Sequence, residues 1–447
     1  MFNPVEIKHA LISFKVFSLS FLFWRKYTNM SILNELYNKN LWNDFLQYKL
    51  LHHNLSKSEA DDIAEYINSE RYLSVLDPIS NNSFVPPLPY KKEINKDGTS
   101  KKRIVYSYPQ DFNIFLKIIA YMLYKYDYHF CENCYAFRKN YGVKDAVSRI
   151  KSIDRLSEKY CLKVDIHNYF NSIDTELLLK KLEFMQTDDE PLYHFLKTLL
   201  TEDKAITGKL NDRNTLAATA GKNKDISVIT EKRGAMAGTP ISPFLANIYM
   251  SDVDKYFYDR GIIYFRYSDD ILIMTDSMNE LNAYKDILYN EVEEHKLSLN
   301  PAKVHIYMPG ETCDFLGFSY NGNGIIDIAE HTKKKIKDKI RRKAHALRRW
   351  SEQKELSYDK AAKGFINAMN HKFFDNGGSN DFSWCRFYCP ILTTDAGLKE
   401  IDQYMQQYIR YCVTGRHYKG NYKISYAQMK EWGYRSLVNE YYKGKQK

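Results

Sequence analysis

The feature that most constrains this chain is a pair of adjacent carboxylates between two apolar segments. Residues 262–267 read Ile-Ile-Tyr-Phe-Arg-Tyr, Ser268-Asp269-Asp270 follow, and 271–274 read Ile-Leu-Ile-Met. Two β-prone segments around a short polar turn predict a β-hairpin. Carboxylates beside buried strands cost free energy unless a cation neutralises them. The alternative is a solvated turn, since Asp favours turns in any protein.

A third carboxylate, Asp165, follows a second apolar strand pattern, Cys-Leu-Lys-Val at 161–164. If this strand and the hairpin are neighbours in one sheet, the three carboxylates converge at one edge. Such an oxygen-rich cluster is the ligand set that Mg²⁺ prefers. Two ions at such a site activate an attacking hydroxyl and stabilise the leaving oxygen in phosphoryl transfer. The pattern therefore predicts a site for two Mg²⁺ ions, with Mn²⁺ as a substitute.

Six motifs, in order along the chain, resemble those of reverse transcriptases. They are Tyr135-Ala-Phe-Arg138, Asp165-Ile-His-Asn-Tyr-Phe170, Gly238-Thr-Pro-Ile-Ser-Pro-Phe-Leu-Ala-Asn247, Tyr267-Ser-Asp-Asp270, Leu297-Ser-Leu-Asn-Pro-Ala-Lys303 and Phe315-Leu-Gly-Phe318. The series covers about 100–320 and is most similar to standalone, defence-associated bacterial enzymes of the retron and group II intron-like lineage. The chain departs from the family at Met236-Ala237, where Pro-Gln is usual.

The resemblance implies an α+β right-hand polymerase with fingers, a palm built on an antiparallel sheet, and a helical thumb. Helical periodicity before the Pro-rich break at 86–89 adds an N-terminal element. The predicted domains are an N-terminal helical extension (1–85), fingers (86–160), palm (161–320) with an inserted polar loop at 201–233, and thumb with C-terminal region (321–447).

The resemblance also implies roles for single residues. The implied metal-binding residues are Asp165, Ile166, Asp269 and Asp270. The implied nucleotide-binding residues are Ile166, Phe170, Arg103, Arg138 and Gly238. The implied primer-binding residues are Phe315, Leu316 and Gly317. Lys303 is the implied proton donor to departing pyrophosphate; a surface lysine is its alternative. Asp270 is expected to matter less than Asp269, because neighbouring strand residues diverge.

Phe170 is the residue that the resemblance implies as a steric gate against a ribose 2′-oxygen, which favours DNA synthesis. Its alternative is a core aromatic. Arg103 and Arg138 could bind phosphate oxygens in a bidentate manner. A solvated side chain is the alternative for Arg103.

The charge distribution points to a polyanionic partner. Lys and Arg number 65 against 55 Asp and Glu, a net charge of +10. Residues 333–349 hold ten Lys or Arg against the single Asp338, with Ile336, Ile340, Ala344 and Leu347 at helical intervals. This pattern predicts a thumb helix with one packed face and one cationic face along a nucleic-acid backbone. The predicted backbone contacts are Lys333, Lys337, Arg341 and Arg348, and a solvated face is the alternative.

The remaining features bear on compartment and biological role. Seven unpatterned cysteines fit a reducing compartment, and the apolar run at 10–24 is shorter than a membrane span, so we expect a cytoplasmic protein without membrane contact. Met30 opens a plausible start, which would make 1–29 an upstream extension.

The expected activity is copying a dedicated, structured non-coding RNA into DNA from dNTPs in antiviral defence. The alternatives are template-independent or protein-primed DNA synthesis, and a catalytically idle RNA-binding scaffold.

Overall fold

The computed structural model describes residues 30–52, 55–95, 102–208, 226–321, 324–374, 383–417 and 423–445. The predicted extension 1–29, the start of the basic strand at Lys101 and the centre of the predicted loop at 209–225 lie outside the described residues. Within the described ranges, no helix has both the length and the apolar character that crossing a membrane requires.

The described strands form three sheets. The first has the order β2-β1-β4-β5, the second β6-β7-β3-β8 and the third β11-β10-β9. Their bounds are β1 Tyr90–Asn95, β2 Lys102–Ser107, β3 Tyr160–Asp165, β4 Lys204–Gly208, β5 Ile226–Thr230, β6 Ile263–Tyr267, β7 Asp270–Thr275, β8 His305–Tyr307, β9 Cys313–Phe315, β10 Phe318–Tyr320 and β11 Ile326–Ile328.

Helices precede, separate and follow these strands along the chain. The α-helices of the described ranges are α1 Ile32–Glu35, α2 Lys39–His52, α3 Lys57–Asn68, α4 Leu73–Ser80, α5 Gln110–Met122, α6 Val143–Lys151, α7 Tyr169–Ser172, α8 Thr175–Lys181, α9 Phe184–Asp188, α10 Glu190–Thr201, α11 Ser242–Tyr249, α12 Ser251–Asp259, α13 Met278–Glu294, α14 Glu330–Gln353, α15 Tyr358–Phe373, α16 Trp384–Tyr388, α17 Ala396–Thr414, α18 Tyr426–Glu431 and α19 Leu437–Lys445. Short 3₁₀ helices cover Leu123–His129, Leu156–Glu158 and Pro301–Lys303.

The predicted hairpin is confirmed: β6 is an edge strand of the second sheet and β7 is its neighbour. β6 pairs with β7 through a turn at Ser268-Asp269, and β7 pairs in antiparallel register with β3. Alternate residues of β3 and β7 pack into one core; Leu162 and Ile273 are fully buried there. The opposite side is buried too, since Leu272 belongs to the core cluster under the C-terminal helices. Burial on both sides explains why these strands are continuously apolar.

The polar segment predicted as a loop at 201–233 forms strands at both ends. β4 and β5 pair antiparallel, and β4 joins β1 through Tyr90 and Ile206. β5 is an edge strand whose Ser227 and Val228 are exposed, so its sequence does not need the apolar pattern that marks a buried strand. The first sheet therefore crosses the predicted boundary between fingers and palm.

The C-terminal region is mainly helical, as predicted, and α14 is its longest helix. Ile336, Ile340 and Ala344 of α14 are buried and Leu347 is half-buried, so the predicted apolar face is the packed face. α14 packs against α15 and α17, and α17 also contacts β11. The N-terminal helices pack around Trp42 in the same core as Leu162 and Ile273, and α2 contacts α5.

Candidate active site

The three predicted carboxylates lie at one edge of the β6-β7-β3-β8 sheet. Asp165, the last residue of β3, is the register partner of Asp270, the first residue of β7. Asp269 occupies the hairpin turn, and its carbonyl accepts a hydrogen bond of 2.9 Å from the amide of Ile166. Strand pairing therefore brings together residues that are more than a hundred positions apart in the chain.

Burial and mutual repulsion disfavour ionisation of the two hairpin carboxyls. Burial raises the pKa of Asp269, and the neighbouring Asp165 carboxylate raises it further. Burial also raises the pKa of Asp270 to about 6, with the Asp269 carboxylate as the next cause. A cation bound at this edge would relieve both effects.

The Asp165 carboxylate is held by residues of the segment after α13. Its Oδ2 forms an ion pair with Lys303 Nζ, and its Oδ1 lies 3.5 Å from Asn300 Nδ2. The Asn300 amide also donates to the Asp165 carbonyl at 2.8 Å. Lys303 therefore lies beside the carboxylates, although its side chain is about half exposed. Asn300 was not predicted from the sequence; its only signal is its place in the motif that ends at Lys303.

The donor chemistry fits a divalent ion that prefers oxygen ligands. Asp165 and Asp269 supply carboxylate oxygens beside the backbone of Ile166, and such hard donors are typical of Mg²⁺ sites. In the part of the chain that the structure describes, no three His, Cys, Asp or Glu side chains converge to form a ready metal cage. The Asp165 carboxylate is instead paired with the Lys303 ammonium, which neutralises part of the negative charge.

Phe170 lies in a small aromatic cluster beside the hairpin. Its ring is half-buried and meets Phe137 edge to face, with 6.1 Å between centroids. Phe137 in turn lies 6.4 Å from Tyr267, the residue before the hairpin turn. The ring is partly accessible and also packs against the core, and its role as a gate stays a prediction.

Gly238 approaches the backbone of β2 so closely that a side chain would not fit. Its φ is +100°, and a Cβ there would lie 2.9 Å from the Tyr106 carbonyl oxygen. The Tyr106 amide donates to the Ala237 carbonyl at 2.7 Å. The segment at Met236-Ala237, where the sequence has no Gln, is thus joined to β2 through its backbone, and this contact needs no Gln side chain.

Asn171 is a positioning residue that the sequence reasoning missed. Its Oδ1 accepts from the Ala237 amide at 2.9 Å, and its Nδ2 donates to the Ile104 carbonyl at 3.1 Å. One amide side chain therefore ties β2 to the segment before Gly238. Its position directly after Phe170 was the only sequence signal.

The two predicted phosphate-binding arginines differ in position. Arg103 is exposed on β2, and its charge opposes part of the rise that burial causes in the pKa of Asp269. Arg138 is buried: its guanidinium binds Asp127 at 2.9 and 3.0 Å and the carbonyls of Cys131 and Cys134. The structure does not place Arg138 where a phosphate contact needs it, because a buried guanidinium requires internal acceptors for its donors.

The predicted primer-binding segment forms the tight turn between β9 and β10. Leu316 and Gly317 have φ of +52° and +87°, the signature of a type I′ turn. Phe315 is fully buried in the core under the C-terminal helices, so its side chain is not available to a primer. Of the three predicted residues, only Leu316 and Gly317 present backbone at the turn.

The cationic face of α14 is not the one that the sequence predicted. Lys333 and Lys337 both form ion pairs with Glu400 of α17. Arg348 donates to the carbonyls of Cys412 and Val413 at the end of the same helix. Of the predicted contacts, only Arg341 is exposed. The other exposed basic residues of α14 include Lys334, Lys335, Arg342, Lys343 and Arg349.

Comparisons with known proteins identify the same family as the sequence motifs do. Residues 94–320, about half of the chain, match the family model described as reverse transcriptase (RNA-dependent DNA polymerase). The retron Ec86 reverse transcriptase of Escherichia coli is 36% identical over 76 residues, which is 16% of this chain and 24% of that protein. The retron Ec83 reverse transcriptase of the same organism is 30% identical over 132 residues, 28% of this chain and 35% of that protein.

The chain thus spans about a quarter to a third of the length of these two curated relatives. Among solved structures, an apo telomerase from Candida tropicalis, truncated from its C-terminal domain, is similar with a TM-score of 0.41 and 14% identity. That similarity covers 59% of this chain and 60% of the telomerase chain.

Proposed function

The chain belongs to the reverse transcriptase family, which has the right-hand polymerase fold, and we propose that it is an RNA-directed DNA polymerase. The observation that carries the proposal is the strand register that sets Asp165 opposite Asp270, with Asp269 in the turn. Burying these carboxyls raises their pKa values and costs folding free energy, and an idle RNA-binding scaffold would have no need for such residues.

Each residue near the carboxylate edge has a defined part in this proposal. Divalent ions, when bound there, would activate the primer 3′-hydroxyl and stabilise the leaving pyrophosphate. Asp165, Asp269 and the backbone of Ile166 would hold the ions, with Asp270 supporting them. Lys303, next to Asp165, would supply the proton to pyrophosphate, and Arg103 would bind the triphosphate.

The test is primer extension by the purified full chain. We expect labelled DNA of template length from an RNA template, a DNA primer, dNTPs and Mg²⁺, and none with EDTA. Product formed without template would indicate template-independent synthesis, and labelled DNA that stays attached to protein after nuclease treatment would indicate protein priming. RNA binding without any incorporation, with Mg²⁺ or Mn²⁺, would contradict the polymerase proposal and favour the scaffold.

We propose further that the template is a dedicated, structured non-coding RNA and that the enzyme acts in the cytoplasm in antiviral defence. The matches to retron enzymes support the template class, and seven free cysteines suit a reducing compartment. Sequencing the RNA that co-purifies with the chain should reveal one strongly enriched species. Phage plaque counts should fall in cells that express the chain with this RNA, and should not fall with the Asp269→Ala variant.

We expect Phe170→Ala to admit ribonucleotides while DNA synthesis falls only moderately. Removing the ring opens space beside Phe137 without removing a carboxylate. The measurement is the ratio of kcat/KM for a deoxynucleotide to that for its ribonucleotide on one template. We expect this ratio to fall at least about tenfold, which is about 1.4 kcal/mol of lost discrimination.

Phe137→Ala is the matched control, because it removes a neighbouring ring that is not the proposed gate. We expect that variant to change the sugar ratio by less than about threefold. A folded Phe170→Ala protein with an unchanged ratio would mean that sugar selection lies elsewhere.

We expect the exposed face of α14 to set the salt dependence of RNA binding. Replacing Lys334, Arg342, Lys343 and Arg349 together with Gln should flatten the slope of log affinity against log salt by about three units, since each phosphate contact contributes about 0.7–0.9. The measurement is RNA affinity at several salt concentrations.

The control for this prediction is Lys333→Gln with Lys337→Gln, on the face of α14 that pairs with Glu400. We expect this double variant to lower the melting temperature and to leave the salt slope nearly unchanged. An unchanged slope in the fourfold variant would mean that the exposed face is only solvated.

A further inference from the structure

The turn between β9 and β10 is packed on one side by residues outside the range that matches the reverse transcriptase model. Leu316 and Gly317 form this turn, with φ of +52° and +87°. A Cβ at Gly317 would lie 3.0 Å from the Tyr388 hydroxyl oxygen and 3.3 Å from Thr332 Oγ1. Residues of α14 and α16 therefore fill the space against the turn, and the family match, which ends at residue 320, gives neither of them a role.

The backbone of the turn depends on its surroundings. A residue other than glycine in the left-handed region, as Leu316 is here, costs free energy and persists only where neighbouring contacts hold it. The Gly317 carbonyl accepts a hydrogen bond of 3.0 Å from the Ala329 amide, directly before α14. Beside the same turn, Asp314 Oδ2 of β9 lies 3.9 Å from His331 Nδ1 of α14. Contacts from the start of α14 therefore help to hold the turn.

The Tyr388 ring is itself held by three aromatic neighbours. It stacks on Trp384 with 4.4 Å between centroids, and it packs against Phe318 and Phe387 at 4.9 Å each. Phe318 is the first residue of β10, directly after the turn. Because its ring is fixed on several sides, Tyr388 presents its hydroxyl to the turn from a defined position.

The hairpin of β9 and β10 packs on the side of the second sheet that carries Asp165. Cys161 and Asp165 are four residues apart in β3, so their side chains point to the same side. Cys161 shares a buried cluster with Cys313 and Phe315 of β9. The turn that follows Phe315 therefore lies on the side of the sheet where the sequence analysis places the primer.

We propose that Tyr388 is a positioning residue of the polymerase site, which sets the place of the primer 3′ end by supporting the Leu316–Gly317 turn. Tyr388 contacts neither the primer nor an ion in this proposal and acts only through the turn. The inference rests on the proposed polymerase function and extends it, because it gives the C-terminal region a part in placing the primer. A displacement of about 1 Å at a reacting group is enough to slow a reaction about a hundredfold.

The test measures incorporation of one dNTP in a single turnover, at saturating primer–template hybrid and over a range of dNTP concentrations. Gly317→Ala places a Cβ against the Tyr388 hydroxyl. We expect its maximal rate to fall at least about tenfold, while the dNTP concentration for half-maximal rate changes less than about twofold, because the primer and not the nucleotide is displaced. Tyr388→Phe keeps the ring and removes the hydroxyl, and we expect a fall of about threefold.

The double variant tests whether the two residues act through each other. Although each single substitution slows incorporation, Gly317→Ala with Tyr388→Phe should be at least about threefold faster than Gly317→Ala alone. The reason is that the atom nearest to the added Cβ is then absent. Two residues that act independently would instead give a double variant slower than either single one.

Gly310→Ala is the matched control for backbone strain. Gly310 has a φ of +84°, close to that of Gly317, but a Cβ there would meet no described atom within 4 Å. We expect this variant to lower the melting temperature and to keep the rate within about twofold of the natural chain. Tyr426→Phe, at an exposed position of α18, controls for the loss of a hydroxyl and should leave the rate unchanged.

Three results would overturn the inference in an active natural chain. They are a double variant no faster than Gly317→Ala, a Gly310→Ala protein as slow as Gly317→Ala, and a natural rate in Tyr388→Phe. The last result decides the question even where Gly317→Ala does not fold. A natural chain that incorporates no nucleotide would overturn the polymerase function itself, so the two failures are distinguishable.

Discussion

Replacing Asp269 with Asn abolishes nucleotide incorporation, with a fall in kcat/KM of at least about a thousandfold, or about 4 kcal/mol of transition-state stabilisation. The substitution keeps the size of the side chain and removes the charge that would hold a divalent ion. Asp165→Asn should have an effect of similar size, because Asp165, the register partner of Asp270, supplies the other carboxylate that would hold the ions. Asp270→Asn should cost less, since Asp270 is expected to support the other two.

The Asp269→Asn and Asp270→Asn variants should not lose stability. The pKa values of Asp269 and Asp270 are raised in the folded protein, so their ionised forms disfavour folding at neutral pH, above those pKa values. An Asn at 269 removes this penalty, and we expect an unchanged or higher melting temperature at pH 7 without divalent ions. Asp286→Asn, an exposed position on α13, is the matched control for both activity and melting. Incorporation that persists in a folded Asp269→Asn protein would remove the catalytic assignment.

The second large effect concerns the buried pair of Arg266, in strand β6 of the hairpin, and Asp254 of α12. Both side chains are fully buried, and Arg266 Nε donates to Asp254 Oδ1 at 2.7 Å. Arg266→Met should lower the free energy of unfolding by about 3–5 kcal/mol, because it leaves the Asp254 carboxylate buried without its partner. The measurement is the urea midpoint, followed by circular dichroism.

A double replacement separates the value of the pair from the cost of a lone charge. Arg266→Met with Asp254→Leu removes both charges, and we expect it to recover more than half of the lost stability. A single Arg266→Met variant that loses less than about 1 kcal/mol would show that water reaches the site and solvates the carboxylate.

Arg266 also connects several parts of the candidate site. Its Nη1 donates to Asn247 Oδ1 at 3.1 Å and lies 3.4 Å from the Ser268 carbonyl in the hairpin turn. Its backbone pairs with the segment at Asn133 and Tyr135. We therefore expect the double replacement, although more stable than the single one, to incorporate nucleotides more slowly than the natural chain. The sequence signal was a lone Arg within an apolar strand.

Local patterns in the sequence were sufficient to predict the elements that carry the candidate site. The apolar segments around Ser268-Asp269-Asp270 predict the hairpin, and the intervals of Ile336, Ile340 and Ala344 predict the packed face of α14. These predictions succeed because the side-chain period of a strand or a helix determines which side can be buried. The motifs also indicated the family from the sequence alone, because each motif is a short run of consecutive residues and needs no knowledge of distant contacts.

The partners of charged and exposed residues were decided only by the tertiary structure. The sequence predicts that Lys333 and Lys337 belong to an exposed cationic face, yet both form ion pairs with Glu400, which lies more than sixty residues later in the chain. The polar strand β5 has no apolar period and is recognisable only through its pairing with β4. Hydrophobic periodicity sets the buried side of an element, whereas a charged side chain takes its role from whichever distant residue the fold brings within a few ångström.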